Sequence, residues 1–432
     1  MKKLIATLIK FIIKKIFFIC GLFTQKKYIF FVPHPGMCKI DLYDIINYKS
    51  DSALSFLHYL LSHKKLTNKT FVVATRDNVN TEMYVKYVEK NFPEYNVLYI
   101  PIHANNSYST FQQLKRFVEF CRITSKCSHI FTSITYDFSN LISSQVVVDL
   151  NYFTCAMKND ILDRESPHYN GIEKVGHEYK YIIGTSEFAI RLTMPEMTLP
   201  YRKYVNIGLC RNDNLLNGER CEWLRNEIQS HVTFKVNTIV LYTPTHRDYE
   251  SRLTGTDRRS ILGFDYNPSE LESFLRSHGI VFICKLHPKQ NALVVESDLP
   301  EGLILHKPDS RYGLTELMQA SDALMTDYTS VYFDYLLLDK PIIFNFYDLD
   351  VYKRERGVPC EPMSAISAGE IVNNINEMMH ALLNLEVNLH NYASMRLFVR
   401  NLFFTQQDNK TCSRVYNFIF PDETLINISS HK

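Results

Sequence analysis

The feature that most constrains the fold is a regular alternation, from Tyr28 onward, of short apolar runs with longer stretches of helical periodicity. This alternation is typical of βαβ units, in which helices join parallel strands and pack on the sheet. Before residue 200 the predicted strands are YIFFVP, TFVVAT, NVLYIP, HIFTSI, VVVDLN and YKYIIG. The predicted helices between them are DSALSFLHYLLSHKK, TEMYVKYVEKNF and YSTFQQLKRFVEFC.

A second series follows MPEMTLPYRK, a proline-containing stretch that we predict to be the hinge. Its predicted strands are YVNIGL, TIVLYTPTH, VFICKLHP, LILH, ALMTD and PIIFNF, and its predicted helices are PSELESFLRSHG, LTELMQAS and SVYFDYLLL. The 432 residues therefore predict an α/β protein with two Rossmann-like, doubly wound domains facing each other across a cleft. The predicted domains are residues 28–200 and 201–390, followed by a helical tail at 391–432.

Bulk composition excludes several classes of protein. The net charge of +2 and the 22% of charged residues give no reason to expect a nucleic-acid partner or disorder. Ten cysteines occur without a CxxC pair, which argues against a zinc ribbon or a disulfide framework. Such scattered cysteines are typical of a reducing compartment.

Residues 1–27 form an amphipathic, basic segment, MKKLIATLIKFIIKKIFFICGLFTQKK. On a helix, Lys3, Lys10 and Lys14 share a narrow arc, and the far side carries apolar residues. Lysines inside the run make a helix lying in a membrane interface a better interpretation than a spanning helix. A signal or spanning segment, and a helix merely packed on the protein, remain alternatives. The apolar far side consists of Ile5, Leu8, Ile12, Ile16, Ile19 and Phe23.

The stretch ALMTDYTSVYFDYLLL places Thr329 and Ser330 between a predicted strand and a predicted helix. Unpaired backbone N–H groups at a helix start favour an anion, and the two hydroxyls can add donors. The alternative is that Asp327 or Thr329 is an ordinary N-cap. Asp334, one turn later, either faces the same opening or forms a surface pair.

Two other strand ends carry cations. In VFICKLHP, Lys285 and His287 project from one face, where the lysine supplies charge and the histidine can donate to a phosphate oxygen. In TIVLYTPTHRD the same alternation places Thr243, Thr245 and Arg247 together, and a guanidinium can clamp phosphate. A structural histidine before proline and a surface arginine are the alternatives.

A further strand end, NIGLCRND, offers Gly208, which permits close backbone approach or a turn, and Arg211. Together the four clusters supply three cations and several hydroxyls, and they predict a diphosphate site. No cluster of carboxylates typical of magnesium sites is visible, although Asp327 leaves Mg²⁺ open.

These stretches together resemble the CDP-glycerol:poly(glycerophosphate) glycerophosphotransferase family. The ordered motifs that match it are GLCRND, TPTHR, KLHP, TDYTS, FDY and KPIIF, continued by YDLDVYKRERG, between about residues 200 and 360. The resemblance implies a GT-B-like fold whose second domain holds the donor nucleotide. The donor-binding residues implied by the motifs and strand ends are Gly208, Arg211, Thr243, Thr245, Arg247, Lys285, His287, Thr326, Asp327, Thr329, Ser330 and Asp334.

One departure concerns the catalytic base. The family motif W-H-G-T-P-x-K aligns with YFTCAMK, which places Phe153 where the family has histidine and retains Lys158. Phenylalanine cannot accept a proton. The nearest candidates for the base are His34, in VPHPGM at the end of the first strand, and Asp160; His168 and His177 are weaker candidates. The predicted catalytic residues are therefore His287, His34 and Asp160.

The resemblance implies a transferase that moves an alditol phosphate, first of all glycerol phosphate, from a CDP-alditol to a hydroxyl and releases CMP. The expected acceptor is a lipid-linked saccharide or a growing teichoic-acid-like or capsule polymer. The expected location is peripheral, on the anionic cytoplasmic face of a bacterial membrane, with no cofactor required. Two alternatives stay open: a GT-B glycosyltransferase that uses a nucleotide sugar, and a non-catalytic donor-binding subunit.

Overall fold

The structure is a computed structural model that describes most of the chain. The described residues are 2–33, 49–75, 86–101, 109–133, 144–151, 178–197, 200–218, 221–247, 260–287, 290, 294–307, 310, 312–358 and 360–421. Within them, two parallel sheets are flanked by helices, which confirms the predicted α/β class.

The first sheet contains seven described strands and follows an N-terminal helix. In chain order the elements are α1 (Lys2–Phe23), β1 (Tyr28–Val32), α2 (Ser52–Ser62), β2 (Thr70–Thr75), β3 (Asn96–Pro101), α3 (Thr110–Ser125), β4 (Cys127–Thr132), β5 (Val146–Asp149), β6 (Tyr181–Gly184), α4 (Glu187–Met197) and β7 (Tyr204–Asn206). The strand order is β3-β2-β1-β4-β5-β6-β7, so the direction of winding reverses between β1 and β4. The six strands predicted before residue 200 are confirmed.

The second sheet has the same winding. Its elements are α5 (Cys210–Asn217), α6 (Glu222–Ser230), β8 (Thr238–Thr243), α7 (Pro268–His278), β9 (Ile280–Cys284), β10 (Leu303–Leu305), α8 (Leu314–Ala320), β11 (Ala323–Thr326), α9 (Val331–Leu336), β12 (Ile342–Asn345), α10 (Leu349–Arg356) and β13 (Glu370–Val372). The order β10-β9-β8-β11-β12-β13 reverses between β8 and β11. In open α/β sheets, ligands bind beyond the carboxyl ends of the strands at such a reversal.

Local sequence accounts for these elements. Every residue of β9 is buried, as expected for a central strand covered by helices on both faces. Helix α7 begins with Pro268 after an Asn267 cap, and it ends at Gly279, whose φ of 66° lies in the left-handed region. Helix α3 starts with a capping box formed by Ser109 and Gln112.

One predicted strand belongs to the other sheet, and one strand was missed in the sequence analysis. YVNIGL was predicted as the first strand of the second domain, but β7 pairs with β6 in the first sheet. The chain therefore enters the second domain later than the predicted boundary at residue 200. Strand β13, which pairs with β12, was not among the predicted strands. Both strands have three residues, too few to show a period of their own.

The C-terminal helices serve both domains. They are α11 (Ile375–Leu383), α12 (Leu385–Asn391), α13 (Ala393–Phe403) and α14 (Thr411–Ile419). Val399 and Phe403 of α13 belong to the second-domain core. Val415 and Tyr416 of α14 belong to the core under the first sheet. The described part of the predicted tail is therefore not a separate unit, because its last helix returns to the first domain.

Helix α1 lies against α3 through Ile13 and Phe17, which pack on the core that includes Phe120. Lys10 Nζ lies 5.5 Å from the centre of the Phe117 ring. None of the described helices combines the length and the apolar character that crossing a bilayer requires. The opposite side of α1 is an exposed apolar stripe, which consists of Leu8, Ile12, Ile16, Ile19 and Phe23.

Candidate functional site

The carboxyl ends of β8 and β11 are joined by a pair of threonines. Thr243 Oγ1 lies 3.1 Å from Thr326 Oγ1, and the Thr326 hydroxyl donates to the Thr243 carbonyl at 2.9 Å. Both side chains are buried. The two hydroxyls predicted to contact the donor therefore satisfy each other beneath the surface, where they hold the strand ends at the reversal of the sheet.

Asp327 ties the loop after β8 to the loop after β11. Its carboxylate accepts hydrogen bonds from the Thr245 amide at 2.8 Å and from the Thr245 hydroxyl at 2.7 Å. It also accepts the Tyr328 amide at 2.6 Å. The N-cap position of α9 belongs instead to Ser330, whose side chain makes no capping hydrogen bond. The alternative in which Asp327 or Thr329 caps the helix was therefore wrong.

Arg247 is enclosed by carboxylates. Its Nε and Nη2 each donate to Asp348 at 2.9 Å, and its Nη1 donates to Asp327 at 2.5 Å and to the Thr245 carbonyl at 2.6 Å. The rings of Tyr328 and Tyr347 lie 5.5 and 5.0 Å from the guanidinium carbon.

Only 2% of the Arg247 side chain is exposed. Burial acts to lower the pKa of Arg247, but Asp327 and Asp348 raise it well above its ordinary value. The guanidinium is thus a charged part of the scaffold. This arrangement does not provide the predicted direct contact between Arg247 and a diphosphate, because all three guanidinium nitrogens already donate to acceptors of the protein.

A second buried ion pair lies where the two domains meet. Arg211 donates from Nε and Nη2 to Asp334 Oδ2, at 3.2 and 2.9 Å. Both residues line a cavity of about 50 Å³ together with Ser50, Thr315 and Ser330. Asp334 thus lines an opening, which was one of the two interpretations of the sequence. Its ion-pair partner is the buried Arg211, so the alternative of a surface pair was wrong.

The Gly208 motif supports the C-terminal helix. Gly208 has a φ of +98°, and a Cβ there would lie 2.7 Å from Thr411 Oγ1. Asp213 accepts the Thr411 and Cys412 amides at 2.9 and 2.7 Å, at the start of α14. Burial raises the pKa of Asp213, although these hydrogen bonds oppose the rise. Gly208 thus makes room for α14, and its donor-binding role stays a prediction.

The predicted site groups with exposed surface follow the ends of β9 and β11. His287 is exposed after β9, and Lys285, Thr329 and Ser330 are half-buried. The His287 ring stacks on His246, with ring centres 4.5 Å apart and planes 12° from parallel. The imidazole stack, the Lys285 ammonium group and the two hydroxyls all follow strand ends at one carboxyl edge of the second sheet, and groups of these kinds can bind a diphosphate and donate to a leaving oxygen.

His246 was missed in the sequence analysis. The alternation of β8 was continued past its end, which placed Thr245 and Arg247 on the functional face and His246 on the other. In the structure Arg247 points inward and His246 meets His287. The available signal was a histidine directly after a strand, the same arrangement that singled out His287.

The remaining catalytic predictions cannot be placed. His34, Asp160, Phe153 and Lys158 all lie outside the described residues, as do His168 and His177. The assignment of His34 or Asp160 as the base therefore stays a prediction. In the part of the chain that the structure describes, no group of three or more His, Cys, Asp or Glu residues is arranged to hold a metal ion.

Comparison with known proteins identifies the family. Residues 53–421 match the model of the CDP-Glycerol:Poly(glycerophosphate) glycerophosphotransferase family. The teichoic acid glycerol-phosphate primase of Bacillus subtilis (strain 168) is 25% identical over 258 residues, which cover 60% of this chain and 62% of that protein. The teichoic acid ribitol-phosphate primase of Bacillus spizizenii is 28% identical over 261 residues, which cover 59% and 62%. The chain thus spans about three fifths of the length of these relatives.

Solved structures support the fold. The wall teichoic acid polymerase TagF matches with a TM-score of 0.69 at 19% identity, covering 93% of this chain and 90% of that one. A UDP-GlcNAc 2-epimerase from Neisseria meningitidis matches with a TM-score of 0.53 at 12% identity, covering 91% and 98%. These likenesses confirm the two-domain, GT-B-like architecture. Because the ordered motifs and a family match over most of the chain agree, this protein belongs to the CDP-glycerol:poly(glycerophosphate) glycerophosphotransferase family.

Proposed function

We propose that the protein transfers an alditol phosphate, first of all glycerol phosphate, from a CDP-alditol to a hydroxyl of a lipid-linked saccharide or a growing cell-surface polymer. Family membership supports this proposal, and so do relatives named as glycerol-phosphate and ribitol-phosphate primases. One TagF structure is described as a soak with CDPG. The observation that carries the proposal is the stacked His246–His287 pair at the carboxyl edge of the second sheet.

We assign two layers to the donor site. The upper layer contacts the diphosphate and consists of His246, Lys285, His287, Thr329 and Ser330. The lower layer holds the loops of the upper layer in place and consists of Thr243, Thr245, Arg247, Thr326, Asp327 and Asp348. A buried, fully bonded lower layer fixes the positions of the contacting groups before the donor arrives, which reduces the cost of ordering them on binding.

The reaction is an in-line displacement at the phosphorus distal to cytidine. The acceptor oxygen forms a bond to that phosphorus, the bond from phosphorus to the bridging oxygen breaks, and CMP leaves with the electron pair. His287 donates a hydrogen bond to the departing phosphate, and Lys285 offsets its charge. The CDP-alditol is a substrate, and the proposal requires no cofactor; assays with and without a chelator test for Mg²⁺.

The test of this function is transfer by the full chain from CDP-glycerol or CDP-ribitol to a lipid-linked saccharide, followed as released CMP and labelled lipid. We expect His287→Ala to lower transfer more than tenfold, since one lost transition-state donor is worth roughly 2.7–4 kcal/mol. His231→Ala is the matched control, because His231 is exposed at the end of α6.

Three results would count against the proposal. Near-normal transfer by His287→Ala would remove His287 from the site. Consumption of a nucleotide sugar but of neither CDP-alditol would favour a GT-B glycosyltransferase. Binding of CDP-alditol without CMP release, with any lipid acceptor, would favour a non-catalytic subunit.

We also propose that the exposed stripe of α1 lies in an anionic membrane surface, on the cytoplasmic side. Five apolar side chains on one face are the pattern of an interfacial helix, and Phe23 is 86% exposed. Deleting residues 2–24 should release the protein from anionic vesicles. Ile16→Glu and Ile19→Glu together should do the same without lowering thermal stability, because both side chains point outward. Unchanged sedimentation with vesicles would contradict the anchor.

A further inference from the structure

The carboxyl edge of the first sheet carries a buried acidic residue. Strand β5 ends at Asp149, whose register partner on β4 is Thr132. Two residues earlier on each strand, Ile130 and Val147 belong to the same core cluster, so Thr132 and Asp149 lie on one face of the sheet. Asp149 is 5% exposed and Thr132 is fully buried.

This edge faces the second domain. Ser133, which follows Thr132, donates its hydroxyl proton to Asp51 Oδ1 at 2.8 Å. Ser50, the neighbour of Asp51, lies 3.1 Å from the Thr315 hydroxyl on α8 and lines the cavity between the domains. The end of β4 is thus linked through Asp51 and Ser50 to the domain that carries the donor site.

The side chains of Thr132 and Asp149 can form more hydrogen bonds than the described residues provide. Thr132 Oγ1 is buried and makes no hydrogen bond to the residues that the structure describes. The contact described for the Asp149 carboxylate is the Asn151 amide at 2.8 Å. A buried hydroxyl without a partner is costly and rare, and a ligand hydroxyl bound at this pair of strand ends would supply one.

The chemical state of Asp149 suits a base. Burial raises the pKa of Asp149 to about 6, and the Asn151 amide opposes that rise only in part. A carboxylate with such a pKa is ionised at neutral pH, yet it is more basic than an exposed aspartate. Among the residues that the structure describes, no charged side chain contributes to this pKa shift, and burial at the end of β5 is its main cause.

We propose that Asp149 is the general base that deprotonates the acceptor hydroxyl, and that Thr132 orients that hydroxyl. The inference rests on the proposed function and supplies the base that Phe153, four residues later in the sequence, cannot provide. As the acceptor oxygen bonds to phosphorus, its proton passes to the Asp149 carboxylate while the bond from phosphorus to CMP breaks. The proton then leaves Asp149 for solvent.

A purely structural role for Asp149 can be distinguished from a role as the base. Its carboxylate accepts the amide of the residue two positions on, and Asn151 has a φ of +57°. An asparagine side chain can accept the same hydrogen bond and keep this turn, but it cannot take a proton. Asp149→Asn therefore preserves the structural role and removes the chemical one.

The experiment measures single-turnover transfer from CDP-glycerol to a lipid-linked saccharide by the full chain at pH 8. We expect Asp149→Asn to be slower by about 100-fold or more, the range of general-base catalysis. Its affinity for CDP-glycerol, measured by calorimetry, should be unchanged, and its thermal midpoint should not fall. Thr132→Val, a change of nearly equal volume, should slow transfer by about fivefold, the worth of one hydrogen bond.

The pH dependence of kcat/KM in the wild type tests the assignment without any variant, and the variants then identify the group that titrates. In the wild type, kcat/KM should rise with pH through about 6, as the base loses its proton. In Asp149→Asn this rise should disappear. Asp149→Glu should retain a similar rise at a lower rate.

Several results would overturn the assignment. Transfer by Asp149→Asn within about threefold of the wild-type rate would do so, and so would a loss of CDP-glycerol affinity in that variant equal to its loss of transfer. A wild-type kcat/KM that does not change between pH 5 and 7, or a rise of kcat/KM with pH that persists in Asp149→Asn, would also overturn it. Abolition by His34→Ala or Asp160→Ala, with Asp149→Asn active, would place the base elsewhere. If the wild type uses neither CDP-glycerol nor CDP-ribitol, the proposed function itself is wrong. If both the wild type and Asp149→Asn transfer from one of these donors at similar rates, only the assignment of the base is wrong.

Discussion

The carboxyl edges of the two sheets share a winding but differ in how their polar groups are used. On the second sheet, Arg247, Asp327 and Asp348 form a closed ionic network in which each group bonds to another. On the first sheet, Asp149 has one described hydrogen bond and Thr132 Oγ1 has none to the described residues. We infer that the second edge is a rigid platform for the donor, whereas the first keeps bonding capacity for the acceptor.

Arg247→Ala gives the largest effect expected on stability and tests the closed network directly. Removing the cation leaves Asp327 and Asp348 buried without their main partner, which costs about 3–5 kcal/mol of unfolding free energy. Denaturant unfolding measures the loss. The control is His287→Ala on the same edge, where losing an exposed side chain and its stack on His246 should cost no more than about 1.5 kcal/mol.

Loss of donor binding without loss of stability in Arg247→Ala would contradict the contrast between the two edges. If Arg247→Ala unfolds like the wild type but no longer binds CDP-glycerol, Arg247 is a direct clamp on the donor. The second edge would then resemble the first, with groups held ready for a ligand.

A pH-dependent effect is expected from Asp149. Its folded pKa of about 6 lies above the ordinary value of 3.8, so the folded state binds the proton more tightly than the unfolded state. The contribution of Asp149 to the unfolding free energy therefore falls as pH rises from about 4 to 6 and stays low above that range. Relative to Asp149→Asn, the wild type should lose up to about 3 kcal/mol between pH 4 and pH 8.

Parallel denaturant titrations of the two proteins measure this difference, since groups common to both cancel. An equal gap at pH 4 and pH 8 would mean that Asp149 has the same affinity for protons when folded and unfolded. The first edge would then offer no unusual base.

Asp213→Ala should have a smaller effect, confined to the connection between the domains. The change removes the acceptor for the Thr411 and Cys412 amides, which resembles the loss of a helix cap worth about 1–2 kcal/mol. Hydrogen exchange should speed up in α14 and stay unchanged in β9. Asp213→Asn keeps an acceptor oxygen and should behave like the wild type; exchange in α14 that Asp213→Ala leaves unaltered would contradict this role.

The smallest effect expected is that of His246. Its ring stacks on His287, and an aromatic pair contributes about 0.5–1.5 kcal/mol beyond its buried area. His246→Ala should weaken CDP-glycerol binding by about two- to tenfold, and His246→Phe should restore most of the affinity. Calorimetry distinguishes the cases. A phenylalanine variant as weak as the alanine variant would show that a ring nitrogen, and not the stack, serves the donor.

The strands were predictable where a long apolar run determines them. TFVVAT and VFICKLHP both contain buried strands, because central parallel strands read as continuous apolar runs. The sheet that a short strand joins was not predictable: β7 pairs with β6 through contacts distant in sequence, and three residues carry no signal of that choice. Register and partner depend on the packed structure rather than on the local pattern.

The candidate site was predictable as a set of motifs but not as a set of contacts. Beyond Thr243 the chain leaves the strand, so a period of two no longer tells which side chains share a face. For that reason Arg247 was expected outside and His246 was overlooked. The GLCRND motif identified the family correctly, yet Gly208 and Asp213 hold α14, because a motif records a residue and not whether it serves a ligand or the scaffold.

The division between a donor edge and an acceptor edge is tested most directly by calorimetric titration of CDP-glycerol into the wild type, His287→Ala and Asp149→Asn. We predict that His287→Ala weakens binding by about tenfold or more, the worth of a hydrogen bond to a charged group, whereas Asp149→Asn binds the donor like the wild type. Normal binding by His287→Ala together with weakened binding by Asp149→Asn would contradict the account.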